Sequence, residues 1–292
     1  MIDNAPQTIP ASPETYSIRP GVGKQGTGDI SLILAFSGGG TRAAALAYGV
    51  LEELRDTHVV IGGRRQRVLD EVDTISSVSG GSFTSAYYGL YGDQIFEEVF
   101  LKRNVQGQLM RGLLNPLQWF GETGRTEMAV KFYEESVFHG ATFADMKRED
   151  GPMVLINASD LGYGVRFSFV QEYFNLLCSD ISSFPVARAV TASSAVPVLF
   201  NPVVVENYPD CKKTKPDWLV AAEKRAAGDP QLAQVVDGLQ SYYEKDRRRY
   251  AHFVDGGITD NLGLRAIYEV VEVAGGAKAF LRKFDRKPRV AS

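Results

Sequence analysis

The chain has 292 residues, 44% of them hydrophobic and 23% charged, a balance that fills a sizeable core and excludes wholesale disorder. A formal charge of −3 argues against a nucleic-acid partner, and the basic clusters Arg64-Arg65-Arg67 and Arg247-Arg248-Arg249 read as solvated faces. No apolar run approaches the roughly 20 residues that a membrane-spanning helix needs, so no membrane span is expected.

Residues 1–30 form a polar stretch rich in Pro, Gly and Thr (Pro6, Pro10, Pro13, Pro20, Gly21, Gly23), read as a flexible leader ahead of one domain over 31–292. It fits the linker beyond a cleaved export or lipoprotein signal and a cytosolic tail equally, so cell envelope and cytoplasm both stay open. Residues 31–36 (Ser-Leu-Ile-Leu-Ala-Phe) read as a buried strand. Ser37-Gly38-Gly39-Gly40-Thr41-Arg42 follows, then a helical stretch over 43–54. Three glycines between a strand and a helix leave successive backbone N–H groups bare, a nest suited to an anion. The dinucleotide fingerprint and a Walker lysine are both absent, which disfavours nucleotide phosphates as the guest.

Val72, Ile75 and Val78 mark a second buried strand, which ends at Ser79-Gly80-Gly81 and continues from Ser82 as a helix. A serine on a sharp strand-to-helix turn presents its hydroxyl at a helix N-terminus, where developing negative charge is favoured. Its small neighbours let the turn form and let a substrate carbonyl approach. An oxyanion hole is then the best use of the upstream glycine nest.

Residues 109–120, with Leu113, Trp119 and Phe120, have two readings: packed core, which we favour, or an interfacial cap facing lipid. Residues 153–161 and 166–171, joined by Gly162-Tyr163-Gly164, read as a β-hairpin. Residues 218–246 read as charged helices, within a helical insertion over about 207–250. His252-Phe253-Val254-Asp255-Gly256-Gly257 reads as a short strand ending at an aspartate, with a new helix near Leu264. In an open α/β sheet the carboxyl ends of strands meet at one rim, which would gather Gly38–Gly40, Ser79 and Asp255. Cys178 and Cys211 lack metal-ligand spacing; they are free thiols by default, and a disulfide if the chain is exported.

These residues resemble the patatin-like phospholipase family, related to the catalytic domain of cytosolic phospholipase A2. The resemblance rests on Gly38-Gly39-Gly40-Thr41-Arg42, the elbow around Ser79 and Asp255-Gly256-Gly257, in the family's order and spacing. Arg188-Ala189-Val190-Thr191-Ala192-Ser193-Ser194-Ala195-Val196-Pro197 supports it, so it covers about 31–270. It implies a three-layer α/β/α fold with a mostly parallel central sheet. It also implies a lipid acyl hydrolase that needs no cofactor or metal, acts on phospholipid or another lipid ester and can touch a membrane peripherally. By resemblance Ser79 is the nucleophile and Asp255 its partner in a two-residue dyad. Gly38, Gly39 and Gly40 form the oxyanion hole, with Arg42, Gly80 and Gly256 in support; Arg42 braces the glycine loop or meets a lipid phosphate.

Two positions depart from the family pattern: Ser77 replaces the elbow's first glycine, and Ser37 stands where plant members often carry aspartate. Family members also continue into another strand after a helix at about 264–275, whereas here Arg282-Lys283-Phe284-Asp285-Arg286-Lys287-Pro288 leads to the terminus. A C-terminus shortened relative to the family is therefore expected. Two rival functions remain. One is an esterase with a Ser-His-Asp triad: of the three histidines, His58, His139 and His252, His252 follows Ser79 with Asp160 or Asp180 before it, as the chain order Ser, acid, His requires; the other is a non-catalytic lipid-binding module.

Overall fold

The computed structural model describes residues 2–7, 15–18, 30, 32–93, 97–102, 124–146, 151–209, 211 and 215–273. Its centre is a mixed six-stranded sheet flanked by helices, an α/β fold. Strand β1 (Leu32–Phe36) leads through the glycine loop into α1 (Gly40–Asp56), and β2 (Val72–Val78) leads through Ser79 into α2 (Gly80–Tyr91). Strands β3 (Met153–Asp160) and β4 (Arg166–Ser168) form the hairpin. Helix α3 (Val186–Ser193) precedes β5 (Val203–Glu206). Helices α4 (Asp217–Ala226) and α5 (Pro230–Gln240) fill the insertion before β6 (Tyr250–Val254). Helix α6 (Leu264–Val273) is the last described element.

The strand order is β1-β2-β3-β6-β5, with β4 also paired to β3. Strands β1, β2 and β3 run parallel, whereas β6 runs antiparallel to both β3 and β5. The sheet is therefore mixed rather than mostly parallel. The physical reason lies in the connections: the β3–β4 turn and the α4–α5 pair return the chain beside the strand it left, which makes antiparallel neighbours. Strand β6 meets β3 only at its far end, Phe253 with Asp160 and Val254 with Ser159. That offset brings the end of an antiparallel strand to the same rim as the ends of β1 and β2.

Burial explains the local composition. Every residue of β3 is buried, as a central strand covered on both faces requires. Helix α1 buries Ala44, Ala47 and Leu51, a helical stripe in which Ala47 and Leu51 pack with Leu69, Val72 and Ile75. Helix α2 is buried at every residue but Tyr91, and its small residues make that possible: a Cβ at Gly81 would sit 2.7 Å from the Phe36 carbonyl oxygen. No helix among the described residues is long and apolar enough to cross a membrane.

Within the stretch read as a flexible leader, residues 3–7 and 15–18 make contacts with the domain. Ala5 and Pro6 pair antiparallel with Asp180 and Ser179. The Asn4 amide donates to the Ser179 hydroxyl and the Glu206 carbonyl, and Asp3 pairs with Arg188. Tyr16 is buried, and its hydroxyl donates to the Val154 carbonyl at 2.9 Å while accepting the Val154 N–H at 2.8 Å. Cys178 and Cys211 form a disulfide. Residues 109–120 lie outside the described residues.

Candidate active site

Ser79 sits between β2 and α2 at φ 50°, ψ −119°. A non-glycine residue in this region is strained and persists only where its surroundings hold it. The surroundings here are tight: a Cβ at Gly80 would lie 2.0 Å from the Gly40 carbonyl oxygen. Gly81 donates its N–H to the Ser37 carbonyl, so the glycine loop is laid directly on the elbow. Ser77 fits where a glycine is usual because its buried hydroxyl is fully engaged. It donates to the Leu155 carbonyl and accepts from Ser85 at 2.7 Å.

The Ser79 hydroxyl donates to Asp255 Oδ2 at 2.9 Å. The other carboxylate oxygen, Oδ1, accepts the Gly257 N–H at 2.7 Å. Burial pushes the Asp255 carboxyl above the ordinary carboxylate range, and the Gly257 and Ser79 hydrogen bonds oppose that shift without cancelling it. Gly256 has no room for a side chain, since a Cβ there would meet the Asn157 carbonyl oxygen at 2.5 Å. The Asp255 N–H is held by the Ala195 carbonyl.

The three loop glycines are not equivalent. Gly38 donates its N–H to the Asn261 carbonyl at 2.8 Å, so that group is already engaged within the fold. Gly39 and Gly40 adopt φ 135° and 65°, a conformation that favours glycine, and neither N–H has a partner among the described residues. The Gly80 N–H, first in α2, is free in the same sense. Arg42 is exposed on the first turn of α1 and makes no hydrogen bond among the described residues; it does not brace the loop that way.

Two further residues belong to the site. Asn261 places its side-chain oxygen against Gly38 and Gly257, 2.5 and 2.8 Å from where their Cβ atoms would be. Ser193 accepts the Ser79 N–H on its hydroxyl at 2.9 Å. Ser193 lies within the Arg188–Pro197 stretch and Asn261 four residues beyond Gly257, but nothing in their spacing marks them. All three histidines are exposed, and none hydrogen-bonds Ser79 or Asp255.

The site thus has a hydroxyl on a strained turn, a buried carboxylate against it and free N–H groups beside it, the elements of acyl transfer. No curated protein matches the chain. The model of the patatin-like phospholipase family matches residues 34–268, a span that holds the glycine loop, the elbow and the Asp255 turn. That family consists of lipid acyl hydrolases. With most of its length matched and an α/β fold of the corresponding type, the chain belongs to the patatin-like phospholipase family.

Proposed function

We propose that this chain hydrolyses a carboxylic ester of a lipid, phospholipid included, through a Ser79–Asp255 dyad and an acyl-enzyme. The Ser79 Oγ attacks the ester carbonyl carbon as its proton passes to Asp255 Oδ2. The N–H groups of Gly39 and Gly40, with that of Gly80, receive the charge on the carbonyl oxygen. As the tetrahedral intermediate collapses, the C–O bond to the alcohol breaks and Asp255 returns the proton to the leaving oxygen. A water then attacks the acyl-serine and gives its proton to Asp255. Collapse of this second intermediate releases the fatty acid and restores the Ser79 proton.

One observation carries this reading: Oγ and Oδ2 lie 2.9 Å apart with no histidine at either group. The upward shift of the Asp255 carboxyl makes it a stronger base than an ordinary carboxylate. The same facts weigh against a triad, and the free N–H groups weigh against a module that only binds lipid. The Cys178–Cys211 disulfide favours an oxidising compartment, hence the cell envelope. Peripheral membrane contact would be made by exposed apolar residues in the two segments flanking Asp255. Val196, Val198 and Leu199 stand on one side, Ile258 and Leu262 on the other, and Arg42 is exposed to meet a lipid phosphate.

The test is a fluorophosphonate probe together with a lipid panel scored by mass spectrometry. Wild type should be labelled and should release fatty acid, and Ser79→Ala should do neither. Labelling or release that survives in Ser79→Ala removes Ser79 as the nucleophile.

A further inference from the structure

Ser193 closes α3, two residues before the carbonyl that holds the Asp255 N–H. Its side chain is fully buried, and its hydroxyl both accepts and donates a hydrogen bond. The oxygen accepts the Ser79 N–H at 2.9 Å and donates its proton to the Asn157 carbonyl at 2.6 Å. Ser82 Oγ stands 3.0 Å away and donates its own proton to Ser77 Oγ at 3.2 Å. The Ser193 carbonyl accepts the Gly256 N–H at 3.0 Å. One residue therefore holds the peptide plane entering the nucleophile through its side chain and the peptide plane leaving the dyad aspartate through its main chain.

This matters because Ser79 is the strained member of the pair, at φ 50°. Such a residue relaxes toward a commoner conformation unless the groups around it are fixed. The Ser79 N–H is buried and finds its partner in Ser193, so relaxation would leave that N–H without an acceptor. The Asp255 loop is tied to the same turn of α3 by the Ala195 and Ser193 carbonyls. A shift in that turn would move both ends of the 2.9 Å contact between Oγ and Oδ2.

Granting the Ser79–Asp255 reading on which this rests, we infer that Ser193 is a positioning residue for the hydrolysis, its hydroxyl holding the nucleophile elbow in register with Asp255. It touches neither the ester nor the reacting proton, and it acts through the Ser79 N–H. Loss of the hydroxyl should lower kcat more than it changes KM, because geometry at the reacting atoms is lost while the acyl pocket is untouched.

The experiment compares four variants on a soluble ester, with thermal unfolding and the rate of fluorophosphonate labelling measured alongside. Ser193→Ala should lose about 10- to 100-fold in kcat and label more slowly in proportion, with KM within about threefold of wild type. Ser193→Thr, which keeps the hydroxyl, should recover most of that loss. Ser194→Ala removes the neighbouring hydroxyl, which bonds only carbonyls of α3, and should keep wild-type kcat even where stability falls.

A folded Ser193→Ala with wild-type kcat, or a Ser194→Ala that loses as much as Ser193→Ala, overturns the inference. If Ser193→Ala does not fold, Ser193→Cys takes its place, with a thiol that accepts only weakly; kcat in it equal to that of Ser193→Thr overturns the inference as well. Ser79→Ala separates the two claims. Its activity would end the nucleophile assignment, whereas an inactive Ser79→Ala beside a fully active Ser193→Ala ends only the role given to Ser193.

Discussion

The carboxyl of Asp255 is buried at the end of β6, with a backbone N–H on one oxygen and the Ser79 hydroxyl on the other. Burial destabilises its charged form, yet only the charged form accepts a proton from Ser79. The wild-type kcat/KM should therefore fall as pH falls through a midpoint above the usual carboxylate value of about 4. The stability consequence has the opposite sign. A carboxyl whose folded pKa is raised favours the fold while it is neutral, and that contribution is lost as pH rises through the folded pKa. Asp255→Asn carries no such cost and keeps an oxygen for the Gly257 N–H. It should be inactive at every pH, match wild type in melting temperature below the carboxylate range and exceed it by a growing margin up to neutral pH. Melting curves of both proteins across that range check the sign; a variant less stable than wild type at neutral pH would show that burial of the anion is fully offset.

Gly39, Gly40, Gly80 and Gly256 are legible in the sequence because backbone conformation or contact excludes a Cβ at each, and such turns recur with the same neighbours. Ser193 and Asn261 are not legible: a serine in a helix and an asparagine in a turn are ordinary there, and their roles arise from partners far along the chain. The commitment of the Gly38 N–H to Asn261 is invisible for the same reason.

Elements that carry their own pattern were easiest to read. The β2 strand, the β3–β4 hairpin and the paired helices of the insertion each show apolar spacing or turn chemistry within a short window. Asp229 caps α5 by accepting the N–H groups of Gln231 and Leu232, with Pro230 at the first helical position, a local signal. Residues 2–7 and 15–18 lack one. Among their anchors are single side chains, Asn4 and Tyr16, reaching carbonyls in β5 and β3, and a proline-rich composition hides such contacts.

The Cys178–Cys211 disulfide ties the turn after Leu177 to the chain beyond β5. Closing a loop of 33 residues stabilises by about 3–4 kcal/mol in the chain-entropy account. Removing it should lower the melting temperature by roughly 5–12 °C. Among the described residues neither cysteine is hydrogen-bonded to Ser79 or Asp255, so Cys178→Ala with Cys211→Ala should keep wild-type kcat at 25 °C. A wild-type melting temperature indifferent to reductant, with two free thiols on titration, would show that the bond is not made in the native protein.

On the scale of the whole molecule, the site sits where the parallel half of the sheet meets the antiparallel half. The rule that ligands gather at the carboxyl ends of parallel strands covers the glycine loop and Ser79, but not Asp255. The offset pairing of β6 with the last two residues of β3 brings the aspartate in from the opposite direction, and no periodicity in the chain encodes a register between strands so far apart.

The same arrangement makes the segments on either side of Asp255 the candidates for contact with aggregated lipid. Val198 is the sharpest case. It is 96% exposed and holds φ 76°, a conformation costly for a β-branched residue, so neither burial nor backbone preference accounts for valine there. Insertion into lipid would supply the missing reason, worth about 1.5–3 kcal/mol for a side chain of this class. Val198→Gly removes the side chain and relieves the backbone, since glycine adopts positive φ freely. Its melting temperature should equal or exceed that of wild type, and its kcat/KM on a short soluble ester should stay the same. Binding to phospholipid vesicles should weaken about tenfold or more, with hydrolysis of vesicle lipid falling in step. Equal loss on soluble and vesicle substrates would place Val198 in the support of the dyad instead, and unchanged vesicle binding would leave the exposed valine without a membrane role.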